Sequence, residues 1–349
     1  MKRALALARR GWGQTAPNPM VGAVVIRGGR IVGEGYHRRF GGAHAEVSAL
    51  AAAGAKARGA TVYVTLEPCS HWGKTPPCVD ALIAAGVSRV VCAVGDPGKQ
   101  SGGGARKLRR AGIKVEFGLE EAAARELNAV FFHSHSRTDR PWVTLKLALS
   151  ADGAVAKASG RRTAITGESA NRQVHRMRAQ HDAVAIGIGT ARADDPELTV
   201  RLVRKPRVPP VRVVFDRRTR LSPHAALAAT AQLIPTVVVA ARRAPNRELA
   251  LFRKGVDVLY ARSLQQAVQV LARHDVRSLM VEGGPTLARA FLARRLVDRI
   301  VIFRSPRRLG AGAIAAFDDA SFLDRFRVVA RRRFGTDVMT IYDTRARMP

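Results

Sequence analysis

The sequence predicts an α/β protein of two domains, on three observations. The chain has 349 residues, about twice a typical domain. Short β-type runs alternate with helical runs through both halves, the pattern of helices covering a sheet. Around residues 134–141 (Ser-His-Ser-Arg-Thr-Asp-Arg-Pro) the composition turns polar, which places a boundary between domains 1–138 and 139–349. A hydrophobic fraction of 47% suits two ordinary cores.

The first half opens on Met1-Lys2-Arg3 and an apolar run, Ala4 to Ala8. The run is short and Arg9-Arg10 follow with no cleavage-site pattern, so it reads as a first helix rather than a signal peptide. No apolar run approaches the ~20 residues of a membrane span. Residues 20–26 and 30–35 form a hairpin signal around Arg27-Gly28-Gly29. Asn18, between Pro17 and Pro19, is held extended. A helix over 45–53, a strand over 61–65, a helix over 79–85 and a strand over 89–94 follow. Then come a loop with Asp96-Pro97 and Gly102-Gly103-Gly104, a helix over 105–111, a strand over 114–117 and a helix over 120–130.

Three cysteines argue against a disulfide framework and for a reducing compartment, with the cytoplasm as the expectation. Two of them belong to a pattern. His44-Ala45-Glu46 opens the helix over 45–53. Cys69 follows a strand, and Cys78 opens the next helix, where the dipole favours a thiolate. One imidazole, two thiols and a spare carboxylate make the donor set of an open catalytic zinc site, with Glu46 as proton carrier. Zinc deaminases use this set. Alone, His-Ala-Glu is common by chance and two cysteines nine apart could be a buried pair; the ordered combination is specific. It departs from the general deaminase signature in having eight residues between the cysteines rather than two. Cys92, in an apolar strand, reads as a buried inert thiol. His71, Lys74 and Thr75, between the metal-type cysteines, are candidates for ribose and phosphate contacts, against the plainer reading of solvated loop polarity.

In the second half, residues 142–150 alternate, with Val143, Leu145, Leu147 and Leu149 on one face and Thr144, Lys146, Ala148 and Ser150 on the other. This reads as a strand with one polar face, on which Lys146 is solvated. A turn at Ala151-Asp152-Gly153 precedes a helix over 168–180, with Thr166 or Ser169 near its cap. Two strands then end in glycines: residues 183–190, through Gly187-Ile188-Gly189-Thr190, and residues 279–287, through Gly283-Gly284. Such turns let backbone approach a phosphate. No full Gly-x-Gly-x-x-Gly fingerprint is present, so the pair suggests a split nucleotide site.

A formal net charge of +32 invites a nucleic-acid reading. The 59 basic residues, mostly Arg, are spread along the whole chain; aromatics are only 5%, too few for base stacking. No nucleic-acid-binding signature is present, so no specific nucleic-acid partner is expected. Salt-sensitive association with anions, including phosphorylated substrates, follows from charge alone.

The motif Thr65-Leu66-Glu67-Pro68-Cys69-Ser70-His71, with Gly73-Lys74-Thr75-Pro76-Pro77-Cys78 and the upstream Pro17-Asn18-Pro19-Met20-Val21-Gly22, resembles the bifunctional deaminase/reductase family of riboflavin biosynthesis. The resemblance runs through nearly the whole chain. It implies a cytidine-deaminase-like three-layer N-terminal domain and a dihydrofolate-reductase-like C-terminal domain. It implies one Zn2+ on His44, Cys69 and Cys78, and NADPH. It implies a phosphorylated substrate, 2,5-diamino-6-(5-phosphoribosylamino)pyrimidin-4-one, and a homodimer or homotetramer. Asn18 falls in the pyrimidine pocket. NADP contacts fall at Ala148, Ala164, Thr190, Asp194, Arg217, Gly284, Pro285, Thr286, Leu287, Ala288, Arg289 and Ala290. Reductase-substrate contacts fall at Arg162, Arg178, Leu198, Arg201 and Glu282. The chain departs from the family where Arg162 and Ala164 replace the usual Ser and Trp, and where Arg217 replaces Ser. Losing the Trp weakens packing on nicotinamide, and Arg162 adds a cation for phosphate. The loop after Val94 is about one residue shorter than the family pattern. Two rival readings stay open at this level: a deaminase whose second half is a scaffold or a different reductase, and a basic nucleic-acid-binding deaminase.

Overall fold

A computed structural model describes residues 1–137, 139–157 and 163–347. The chain divides into two compact units: Met1–Arg137 with Pro206–Val208, and Thr138–Lys205 with Pro209–Pro349. No described helix is long and apolar enough to cross a membrane.

The first unit begins with helix α1 (Lys2–Ala8), then strands β1 (Gly22–Arg27) and β2 (Arg30–Tyr36). These two pair antiparallel through a two-residue Gly28-Gly29 turn. Helix α2 (Ala45–Ala53), strand β3 (Thr61–Val64), helix α3 (Cys78–Ala84), strand β4 (Arg89–Cys92), helix α4 (Gly104–Arg110) and strand β5 (Lys114–Phe117) alternate. The five strands form one sheet in the order β2-β1-β3-β4-β5, with β3, β4 and β5 parallel. The helix expected over 120–130 is two: α5 (Glu121–Leu127) and α6 (Ala129–Ser136). Asn128 breaks it, because its carboxamide is drawn away to bond both Met20 N–H and Met20 C=O, at 2.8 and 2.9 Å. The core gathers Val62, Val64, Leu82, Val90, Cys92 and Leu108, all fully buried.

Two close approaches set the frame for chemistry. A Cβ on Gly35 would lie 2.4 Å from both Ala45 O and Ala49 N, so α2 rests directly on β2. A Cβ on Gly104 would lie 1.9 Å from Pro68 O, so the start of α4 abuts the loop that carries Cys69.

The second unit is a nine-stranded mixed sheet. In chain order its elements are β6 (Trp142–Leu149), β7 (Ala154–Ala156), α7 (Glu168–Arg178), β8 (Ala183–Gly187), α8 (Ile188–Asp194), β9 (Val211–Phe215), α9 (Ala226–Ala229), β10 (Thr236–Ala240), α10 (Pro245–Phe252), β11 (Val256–Tyr260), α11 (Leu264–Arg273), β12 (Ser278–Val281), α12 (Pro285–Ala293), β13 (Arg299–Arg304), β14 (Ile314–Ala315), β15 (Phe326–Phe334) and β16 (Asp337–Arg347). The order in the large sheet is β11-β10-β9-β8-β12-β6-β13-β16-β15, and β7 pairs with β14 apart from it. Strands from β11 through β13 are parallel; β16 and β15 add an antiparallel hairpin.

Buried side chains alternate between two cores. Val143, Leu145, Ala185, Leu279 and Ile300 share one core; Val184, Ile186, Met280, Val301 and Phe303 share the other. A period of two along each strand puts these sets on opposite faces. This corrects the expectation of a polar face on β6. The strand is central, between β12 and β13, and Thr144 and Ser150 are buried too. Parallel strands inside such a sheet are covered on both sides. Thr166 and Ser169 do lie near the start of α7; Gly167 is the N-cap itself, and the Thr166 hydroxyl donates to Asn171 Oδ1 at 3.1 Å.

Candidate functional site

The N-cap of α2 is His44, and Glu46 lies in its first turn. Their two-residue spacing would send them to different faces of a regular helix. Because His44 is in extended geometry (ψ 167°), both side chains reach the same space. Cys69 follows β3, and Cys78 is the first residue of α3. His44 Nδ1 lies 3.2 Å from Cys78 Sγ and 3.6 Å from Cys69 Sγ. All three donor atoms fall within 4.8 Å of one another. A tetrahedral zinc with bonds of about 2.0–2.3 Å needs donors about 3.5–3.8 Å apart, so this trio fits such an ion with little adjustment.

The electrostatics match the donor set. The Cys78 thiol, the Cys78 backbone N–H (3.3 Å) and His44 hold Cys69 well below the ordinary thiol range, as a thiolate. Cys78 is pushed up because its thiol donates a hydrogen bond to the Cys69 thiolate, and by burial. A cation between them favours both thiolates. Glu46 is 3% exposed, and burial pushes its carboxyl up to about 7. A carboxyl poised there can accept and return a proton near neutral pH. Cys92 is buried and free, and burial pushes its thiol up, which leaves it protonated and inert.

A cavity of about 290 Å³ opens beside this trio. His44, Glu46 and Cys69 line it, as do the sequence candidates Asn18, His71, Lys74 and Thr75. Thr75 has a second neighbour: its Oγ1 lies 3.5 Å from His44 Nε2, the ring nitrogen turned away from the sulfurs. Sequence reasoning missed His37, Phe40 and Asp96, which also line the cavity. His37 is 2% exposed, and its ring meets the His44 ring edge-on at 5.1 Å. Its Nδ1 donates to Ala43 O at 3.1 Å, which leaves Nε2 to accept from the Asn18 amide at 3.2 Å. No motif flagged His37, which lies in the loop leaving β2. Glu67 ties this wall together, accepting from Asp96 N–H (3.2 Å) and Ala105 N–H (2.9 Å).

In the second unit, β8 and β12 are neighbours, yet the chain leaves them in opposite directions, to β9 on one side and past β6 to β13 on the other. Such a reversal opens a crevice at the carboxyl ends of the strands. Thr190, in α8, and Gly284, the N-cap of α12, meet there: Gly284 N–H donates to Thr190 Oγ1 at 3.1 Å. Ala148 lies near the carboxyl end of β6, the next strand over. Gly284 as cap and Pro285 in the first turn leave the start of α12 without a capping side chain. A Cβ on Gly189 would meet nothing within 4 Å. Backbone N–H groups there can approach a phosphate. Leu287 packs against Gly283 and Gly187, Ala288 is buried, and Thr286 and Ala290 lie along the same helix. Arg289 turns to Ala316 O (3.2 Å) and Asp318 (3.0 Å). Asp194 ends α8. The Ala164 carbonyl accepts from Arg307 at 3.2 Å, and Arg217, exposed after β9, accepts Ala241 N–H through its carbonyl. Arg162 lies outside the described residues.

Four of the substrate candidates come together. Arg178 binds Glu282 through both oxygens and donates to Thr199 O at 2.9 Å, beside Leu198 and Arg201. Leu198 is buried with φ 53°, and Arg201 pairs with Glu197 while its N–H donates to His175 Nδ1 (3.1 Å). Sequence reasoning missed Lys146 here. Burial lowers its pKa, against the pull of the nearby Glu282, and its Nζ lies 5.9 Å from the Phe303 ring centre.

Residues 1–94 match the zinc-binding region of cytidine and deoxycytidylate deaminases, and residues 141–340 match the RibD C-terminal domain. Fold and site thus define a bifunctional enzyme, a cytidine-deaminase-like domain joined to a reductase domain of the dihydrofolate-reductase-like kind. The riboflavin biosynthesis protein RibD of Aquifex aeolicus is 44% identical over 315 residues, covering 89% of this chain and 87% of that protein. That of Escherichia coli is 41% identical over 360 residues, covering 97% and 96%. Acinetobacter baumannii RibD superposes with a TM-score of 0.85 at 38% identity, covering 98% of this chain and 97% of its own. A diaminohydroxyphosphoribosylaminopyrimidine deaminase/5-amino-6-(5-phosphoribosylamino)uracil reductase of Thermotoga maritima does so with 0.84 at 35%, with the same coverage. The chain belongs to the RibD family and is a deaminase and reductase of riboflavin biosynthesis.

Proposed function

We propose that residues 1–138 form a zinc-dependent deaminase domain acting on 2,5-diamino-6-(5-phosphoribosylamino)pyrimidin-4-one, and residues 139–349 an NADPH-dependent reductase that converts the ribosyl group of the product to ribityl. The observation that carries the reading is the His44, Cys69 and Cys78 donor trio with the buried Glu46 beside it. His44 Nδ1 and the two thiolates would hold the zinc ion, which would supply Lewis acidity toward water. Glu46 takes a proton from the attacking water, hands it to the ring nitrogen, and later delivers a proton to the departing amine. A C–O bond forms, a C–N bond breaks, and ammonia leaves. Asn18 presents its carboxamide to the pyrimidine edge.

In the reductase half, NADPH supplies the hydride, and this chain's residues hold and orient the reactants. Thr190, Gly284 and the start of α12 cradle phosphate, with Ala148 and Asp194 nearby. Glu282 and Arg178 hold the ribose-bearing substrate, and Lys146 supplies a buried amine next to them. The site lies where an open α/β sheet reverses its winding, which supports this placement.

The test is Glu46→Gln in a coupled assay that follows ammonia release and NADPH absorbance together. Ammonia release should fall at least about 100-fold with zinc content unchanged. NADPH oxidation supplied with the deaminated intermediate should persist. Full ammonia release from the variant would remove Glu46 from the mechanism.

A further inference from the structure

The first unit includes Pro206–Val208, far along the chain from its other residues. Arg207 is tied down there twice. Its backbone N–H donates to Gly13 O at 2.8 Å, and its Nη2 donates to Ala16 O at 2.7 Å. Its guanidinium carbon lies 5.0 Å from the centre of the Phe40 ring, and Lys74 Nζ lies 4.6 Å from the same centre. Phe40 is itself fixed, donating its N–H to Gln14 O at 3.0 Å. Both Phe40 and Lys74 line the cavity that contains Glu46.

Two exposed cations thus share one aromatic ring at the wall of the cavity. Cation–π attraction holds each in place. Neither Lys74 nor Arg207 forms an ion pair among the described residues. The two carry the same charge, and an anion that reaches both is attracted to each. One of the five guanidinium N–H groups is used on Ala16, so the others remain for a fork-shaped contact with phosphoryl oxygens. The chain has +32 net charge, but most of it is scattered; here two charges converge on a site already built for a small molecule.

We propose that Arg207 and Lys74 form a phosphate clamp at the deaminase cavity, in which Arg207 selects the phosphorylated substrate over the corresponding nucleoside. The proposal rests on the deaminase reading and adds a residue that neither the zinc motif nor the loop between the cysteines contains.

The test compares ammonia release from the diaminopyrimidine nucleotide and from the nucleoside made from it with phosphatase, on the full chain loaded with zinc. In Arg207→Ala the ratio of kcat/KM for nucleotide over nucleoside should fall about tenfold, through KM for the nucleotide rather than kcat. Arg207→Lys should restore part of the ratio. Arg27→Ala, which removes the same charge from the hairpin turn, should leave the ratio unmoved. If Arg207→Ala leaves the ratio within twofold of the parent, or lowers turnover of both substrates equally, the clamp is wrong. If the parent protein releases ammonia from neither compound, the deaminase reading fails instead.

Discussion

Arg178 and Glu282 face each other fork to fork, Nε to Oε1 at 2.5 Å and Nη2 to Oε2 at 3.0 Å, with side chains only 13% and 10% exposed. Burial alone would raise the Glu282 carboxyl, and the charge and hydrogen bonds of Arg178 hold it below its usual range. Removing one partner strands the other charge. Arg178→Ala or Glu282→Ala should each cost about 3–5 kcal/mol in the unfolding transition of the reductase half. The double variant Arg178→Met/Glu282→Leu should cost much less than the sum of the two. Urea denaturation of the four proteins checks this; additive losses would show that the pair is not coupled.

Thr75 Oγ1 is the neighbour of His44 Nε2, at 3.5 Å. A ring N–H that donates to such a partner fixes the tautomer that frees Nδ1 for metal. Thr75→Val should weaken zinc binding about 10–100-fold in competition with a chromogenic chelator, and Thr75→Ser should not. Unchanged zinc affinity in Thr75→Val would confine Thr75 to substrate contacts.

Removal of zinc should separate the two activities. Dialysis against a strong chelator should abolish ammonia release and leave NADPH oxidation of the deaminated intermediate in place, and added zinc should restore the first. Loss of both activities together, with the far-UV dichroism collapsed, would mean that the metal holds the fold rather than the chemistry.

His175 carries a pH prediction. Burial first, then the charges of Arg178 and Arg201, push it down to about 4. In the neutral form its Nδ1 accepts from Arg201 N–H. The unfolded chain takes up this proton near pH 6.5, while the folded one resists to about 4. Its contribution is therefore complete above about pH 6.5 and is lost as the pH falls toward 4. Denaturation midpoints at pH 7.5, 6 and 4.5 should decline for the parent protein more steeply than for His175→Gln. Parallel declines would refute the assignment.

Sequence alone carried the deaminase site further than the reductase one, for a physical reason. Metal chemistry needs particular atoms, so His44, Cys69 and Cys78 announce themselves by type and order. A crevice lined by backbone needs only glycines at strand ends, and Gly189 and Gly284 say little until β8 and β12 prove to be neighbours. Periodicity found β6 but misjudged its polar face, because Thr144 and Ser150 are buried, and Lys146 half-buried, through partners far along the chain. The helix break at Asn128 came from a bond to Met20, 108 residues away, which no local pattern holds. Phe40 and Arg207 were invisible for the same reason, since their meeting is a tertiary event.

The bare contact between Gly35 and the first turn of α2 has a mechanical consequence. Helix and strand touch backbone to backbone there, so no side chain cushions the joint. Ordinary repacking elsewhere in that core can shift rotamers without tilting the turn that carries His44 and Glu46. A single methyl group at position 35 would act as a shim, lifting His44 and Glu46 together and away from the two sulfurs.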